Sequence, residues 1–78
     1  MAISKAQQKE LKRLGQRLKS IRVERGLTLK ELGYKIDKDP QSISRVEMGD
    51  INATFLYLLE VCKGLDISME DLFRIEKD

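Results

Sequence analysis

The side chains best equipped for recognition chemistry stand in one short run. Gln41, Ser42, Ser44 and Arg45 set a carboxamide, two hydroxyls and a guanidinium within five positions. Such groups work by hydrogen bonding: the amide and hydroxyls donate and accept, and the guanidinium is a rigid fork of donors. Bond-making chemistry has far less to draw on. The 78 residues contain no histidine and one cysteine, which leaves no zinc ligand set. No glycine-rich phosphate loop or paired-carboxylate constellation appears either. The expectation is a non-enzyme without metal or cofactor, in which Cys62 is buried packing.

Recognition groups need a rigid mount, and the flanking residues provide one. Asp39 is a good helix N-cap and Pro40 suits the first helical position, because its fixed φ fits and its missing N–H had no partner there. The helix runs from Pro40 to about Glu47 and is ended by Gly49. Ile43 and Val46 fall on one face of it, while Gln41, Ser42, Ser44 and Arg45 point elsewhere. Upstream, Thr28 with Glu31 forms a capping box for a helix from Leu29 to about Ile36 that buries Leu32 and Ile36. Gly33 costs that helix ~1 kcal/mol relative to Ala, which implies a neighbouring helix passing too close for a side chain. Asp37, tolerant of left-handed φ, sits where the chain must turn. Residues 28–49 are thus two short helices joined by a tight turn.

The remaining elements supply the core. Ser4 with Gln7 starts a first helix over 5–25, which Gly26 caps and whose Leu11, Leu14, Leu18 and Ile21 make one narrow stripe. Asn52 is taken as the N-cap of a fourth helix over 53–63. Its segment FLYLLEVC is apolar nearly all round, with Phe55, Leu58, Val61, Cys62 and Leu65 inward and Leu56, Tyr57 and Leu59 outward. Ser68 with Asp71 caps a last helix over 69–75 that carries Leu72, Phe73 and Ile75. Five helices and no strand signal predict an all-α bundle in one small domain, residues 1–78.

Charge divides unevenly along this bundle. The net charge is +2, yet residues 1–26 carry eight basic side chains against two acidic ones, and residues 51–78 carry three against six. The basic first helix is either a solvated face or an electrostatic footprint for a polyanion. No apolar run approaches the ~20 residues needed to span a bilayer, and a lone cysteine forms no internal disulfide, so a cytoplasmic, non-membrane protein is expected.

The segments LGQRLKSIRVERGLTLKEL (14–32), SISRVEMG (42–49) and Phe55–Phe73, ending LDISMEDLF, resemble the phage repressor and Cro-type helix-turn-helix DNA-binding domains over roughly 60 of the 78 residues. The resemblance implies a five-helix repressor-like fold with double-stranded DNA as partner. The helix at 29–36 then crosses the DNA backbone, and the helix at 40–47 enters the major groove. Pro40, Gln41, Ser42 and Arg45 fall on the base-reading surface, with Ser44 beside them. Thr28, Lys30, Lys35, Lys38, Met48 and Asn52 fall where phosphates pass. Arg22 and Glu47 match a structural ion pair of the family. The chain departs from the family pattern at Leu29, where a backbone-touching Gln is usual, at Asp37 and Lys38 in the turn, at Pro40 and at Ala53.

The leading expectation is a sequence-specific transcriptional regulator acting as a homodimer on a palindromic site. Leu56, Tyr57, Leu59, Phe73 and Ile75 are its expected dimer interface. The alternative is a protein-interaction module on the same fold, such as an antitoxin subunit holding a protein partner.

Overall fold

The computed structural model describes residues 2–75, and among them it contains five helices and no strand. These are α1 (Lys5–Glu24), α2 (Leu29–Ile36), α3 (Pro40–Glu47), α4 (Phe55–Leu65) and α5 (Met69–Leu72). Each begins at a side-chain cap, which satisfies backbone N–H groups that have no intrahelical acceptor. The boxes at Ser4/Gln7, Thr28/Glu31 and Ser68/Asp71 are all closed in both directions. Asp39 caps α3 through its Oδ1, which accepts from Gln41 N at 3.1 Å. The capping carboxylates feel this: Glu31 is held below its ordinary pKa by its bonds with Thr28, and Asp71 below its own by its bonds with Ser68.

One core joins all five elements. Leu18, Ile21, Leu32, Ile43, Val46, Leu58, Val61, Cys62, Leu65 and Leu72 are buried, with Leu14, Leu27, Leu29 and Ile36 packed on their margin. α3 lies between α1 and α2, while α4 backs α2 and α5 closes against α1 and α4. Arg17 of α1 seals that last contact by donating to the Asp71 carbonyl at 2.9 Å. Cys62 is buried, and burial pushes its thiol pKa up, as befits packing.

Two close approaches fix α3. At Gly33 an added Cβ would stand 2.6 Å from the Lys38 carbonyl oxygen and 3.3 Å from Pro40 Cγ, so what crowds this glycine is chiefly the turn, with the first residue of α3 behind it, and not the side of a passing helix. At Gly15 it would collide with the backbone of Val46 and Glu47, so α1 crosses the end of α3 backbone to backbone. Asp37 adopts the left-handed conformation at φ 56°, so the turn closes without the family's glycine.

Three expectations are corrected. The fourth helix starts at Phe55 and is capped by Thr54, whose Oγ1 accepts from Tyr57 N at 3.1 Å; Asn52 is not its cap. Ile51 and Ala53 pack against the core from a non-helical stretch, which delays the helix by two residues. The later start puts Phe55 at the first helical position, 64% exposed and not in the core. The last helix ends at Leu72, since Phe73 takes a turn conformation, so Ile75 lies beyond it and is half-buried.

Candidate nucleic-acid interface

α3 presents two distinct faces. Ile43, Val46 and Glu47 are buried, whereas Gln41, Arg45 and Met48 are exposed and Ser44 is half-buried between them. At about 100° per residue Gln41, Ser44, Arg45 and Met48 share one outward arc opposite the buried set. That arc carries a carboxamide, a hydroxyl, a guanidinium and a thioether on a helix whose inner face leaves it no freedom to roll.

Ser42 stands off this arc. Its hydroxyl donates to the Asp39 carbonyl at 2.7 Å and lies 2.9 Å from the Tyr57 hydroxyl. Since its one proton goes to Asp39, the Tyr57 hydroxyl is the donor to Ser42. The Lys38 ammonium sits over the Tyr57 ring, 5.3 Å from its centroid, within cation–π range. Tyr57, half-buried on α4, therefore braces the start of α3. Burial is also the main cause that raises its phenol pKa, which keeps it a donor at neutral pH. Pro40 lies on the opposite flank, against Gly33.

The far end of α3 is anchored differently. Arg22 of α1 forms a bidentate pair with Glu47, Nε to Oε2 at 2.7 Å and Nη2 to Oε1 at 3.1 Å, and its Nη1 donates to the Leu27 carbonyl at 2.7 Å. Both side chains are buried, and every buried side-chain nitrogen and oxygen among the described residues has a partner.

The other expected residues divide by position. Lys30 lines a shallow groove beside the turn with Tyr34, Asp37, Lys38 and Asp39. Lys35 is exposed but turned about 140° from Lys30 around α2. Thr28 is exposed, its hydroxyl engaged by Glu31 N. Asn52 is exposed and faces the start of α1, near Ile3, Gln7 and Leu11. Of the apolar set, Leu56 is 70% and Phe73 50% exposed, whereas Leu59, Tyr57 and Ile75 are half-buried. Sequence reasoning missed Gly15 and the brace from Tyr57, and set Phe55 in the core instead of on the surface. A glycine inside a strong helix was a usable signal for Gly15, as it was for Gly33; a tyrosine meeting a serine 15 positions away left none.

Among the described residues no His/Cys/Asp/Glu group is placed to hold a metal, and no helix is long and apolar enough to cross a membrane. Residues 18–72 match the family model described as Helix-turn-helix. The chain is 29% identical over 62 residues to an uncharacterized HTH-type transcriptional regulator, YgzD of Bacillus subtilis, a match covering 80% of this chain and 94% of that protein. Its fold is similar to the restriction-modification controller protein C.AhdI of Aeromonas hydrophila, with a TM-score of 0.81, 31% identity, and coverage of 83% of this chain and 98% of that one. It is also similar to the controller protein C.Esp1396I, solved as a tetramer in complex with its natural 35 base-pair operator, with a TM-score of 0.75, 35% identity, and coverage of 81% and 83%. Buried where the fold needs it and polar where α3 faces outward, the chain belongs to the repressor and Cro-type helix-turn-helix family of DNA-binding regulators, not to an enzyme family.

Proposed function

We propose that the protein is a sequence-specific transcriptional regulator that inserts α3 into the major groove of double-stranded DNA and acts as a homodimer on a palindromic site. The outward arc of Gln41, Ser44, Arg45 and Met48 over a fully buried inner face carries this reading. Gln41 suits bidentate bonding to adenine and Arg45 to guanine, each pair contributing ~1–3 kcal/mol of discrimination. Ser42, engaged by Asp39 and Tyr57, aims the helix and does not itself read bases. Thr28, Lys30 and Lys38 flank the arc as phosphate contacts, with Lys35 and Asn52 at the margins.

One recognition helix spans too few base pairs for useful selectivity, which favours two copies with half-sites about 34 Å apart. Exposed Phe55 and Leu56, with Leu59 on the same side of α4 and Phe73 and Ile75 beyond α5, form the proposed dimer face. That C.Esp1396I holds its operator as a tetramer supports assembly on DNA. Work on chromosomal or plasmid DNA implies a cytoplasmic location.

Selection from a random duplex pool followed by gel-shift titration tests the reading. A small set of related sequences should be enriched, and Gln41→Ala and Arg45→Ala should each relax one position of it. Equal affinity for all sequences overturns it. A monomer without DNA affinity at low salt points instead to the protein-interaction module.

A further inference from the structure

We infer that Lys12, Gln16 and Lys19 of α1 form a phosphate-binding wall that grips the DNA backbone beside the half-site read by α3. The inference rests on the DNA-binding reading above and adds residues outside the helix-turn-helix itself. Lys12 and Gln16 also precede the stretch that matches the family model, which begins at residue 18.

These three side chains line a groove together with Arg22 and Leu29 and with Ser44, Glu47 and Met48 at the end of α3. The groove therefore opens directly beside the outward arc of α3, sharing Ser44 and Met48 with it. Its charge is one-sided. Glu47, the one carboxylate in the walls, is neutralised by bidentate Arg22, whereas Lys12 and Lys19 are exposed and form no ion pair with the described residues. Two unpaired lysines, a carboxamide and a serine thus line one groove, a donor set suited to an anionic phosphodiester.

Leu29 lines the same groove with an apolar side chain, so the groove's free side-chain donors come from α1 and Ser44. Their placement is rigid. Lys12 is pressed against Gly49, where an added Cβ would stand 2.6 Å from Lys12 Cγ and 2.7 Å from its backbone N and Cα. α1 thus carries its lysines at a fixed offset from the end of α3.

A purely structural role is the competing explanation, since Lys12 lies near the C-terminus of α3, where a cation favours the helix dipole. Salt dependence separates the two. Each phosphate contact by a lysine contributes about 0.9 to the slope of log affinity against log salt, and removing one weakens binding alike for all sequences. Fluorescence anisotropy of the full chain on its selected duplex, titrated between about 50 and 200 mM salt, is compared with the variant K12Q/K19Q. Glutamine keeps the helix and the side-chain stems. Because each of the two copies in the homodimer loses two contacts, the slope should fall by about 4, with the ratio of specific to non-specific affinity unchanged. An unchanged slope with specific binding intact overturns the phosphate wall and leaves the DNA-binding reading standing. A lowered melting temperature with an unchanged slope overturns it in favour of the dipole role. If the unmodified chain binds no DNA at all, both fall together.

Discussion

The two ends of α3 are held by different physics. At the C-terminal end, α1 touches the backbone at Gly15, and the Arg22–Glu47 pair, with side chains 9% and 4% exposed, is enclosed by the core. At the N-terminal end, Asp39, Ser42 and Tyr57 form a run of single hydrogen bonds with Lys38 stacked outside it, all exposed or half-buried. Displacing the first end separates buried charges; displacing the second exchanges hydrogen bonds with water. The clamped end therefore fixes where the helix lies, and the solvent-reached end, next to Gln41, sets its fine angle. A helix held this way can alter its N-terminal end without endangering the fold.

The contrast can be broken most severely at the clamp. Glu47→Ala leaves the Arg22 guanidinium buried without its carboxylate, an arrangement that costs ~3–5 kcal/mol. In a chain this small, chemical denaturation should show most of the folding free energy gone, and loss of less than 1 kcal/mol would show that water reaches the pair.

Gly15→Ala attacks the same end through sterics, by driving a Cβ into the carbonyls of Val46 and Glu47. Overpacking of this kind costs ~1–3 kcal/mol, read from the urea midpoint, because neither backbone can yield easily.

At the other end, Tyr57→Phe removes the donor to Ser42 while keeping the ring beneath Lys38. Stability should fall by only ~1 kcal/mol. The effect on operator affinity should be disproportionate, since this bond aims α3. Operator affinity identical to that of the unmodified chain would place the aiming function elsewhere.

The smallest effect concerns the cap of α2 and depends on pH. Glu31 has a folded-state pKa lowered from an ordinary value of 4.5 by its bonds with Thr28. Its contribution is therefore fully present above that value and is lost as pH falls through the lowered folded value. Asp71, lowered from 3.8, behaves in the same sense at the cap of α5. Glu31→Gln retains the hydrogen bond without the titration, so its stability difference from the unmodified chain should be flat at neutral pH and change only in acid. A difference arising near pH 7 would refute the assignment.

Much of this architecture is legible in residue order, because helix ends are local events. Ser4/Gln7, Thr28/Glu31, Asp39–Pro40 and Ser68/Asp71 each mark a start within a few residues, and Asp37 and Gly49 take the left-handed conformations their positions require. The outward arc of α3 follows from the phase of Ile43 and Val46. The start of α4 was misplaced because Asn52 and Thr54 are both good caps. The packing of Ile51 and Ala53 on the core chose between them, and that choice moved Phe55 from the interior to the surface.

By itself, then, the sequence determined the helix-turn-helix, its caps, its family and the polar groups it offers. These depend on spacing and backbone preference over a few residues. Only the tertiary structure decided which of those groups are free. It turned Ser42 toward Asp39 and Tyr57, buried Glu47 against Arg22, and set Lys12 and Lys19 beside Ser44. Those outcomes depend on contacts between residues far apart in the chain, made when α1 and α4 close on opposite ends of α3, and local pattern carries no record of them.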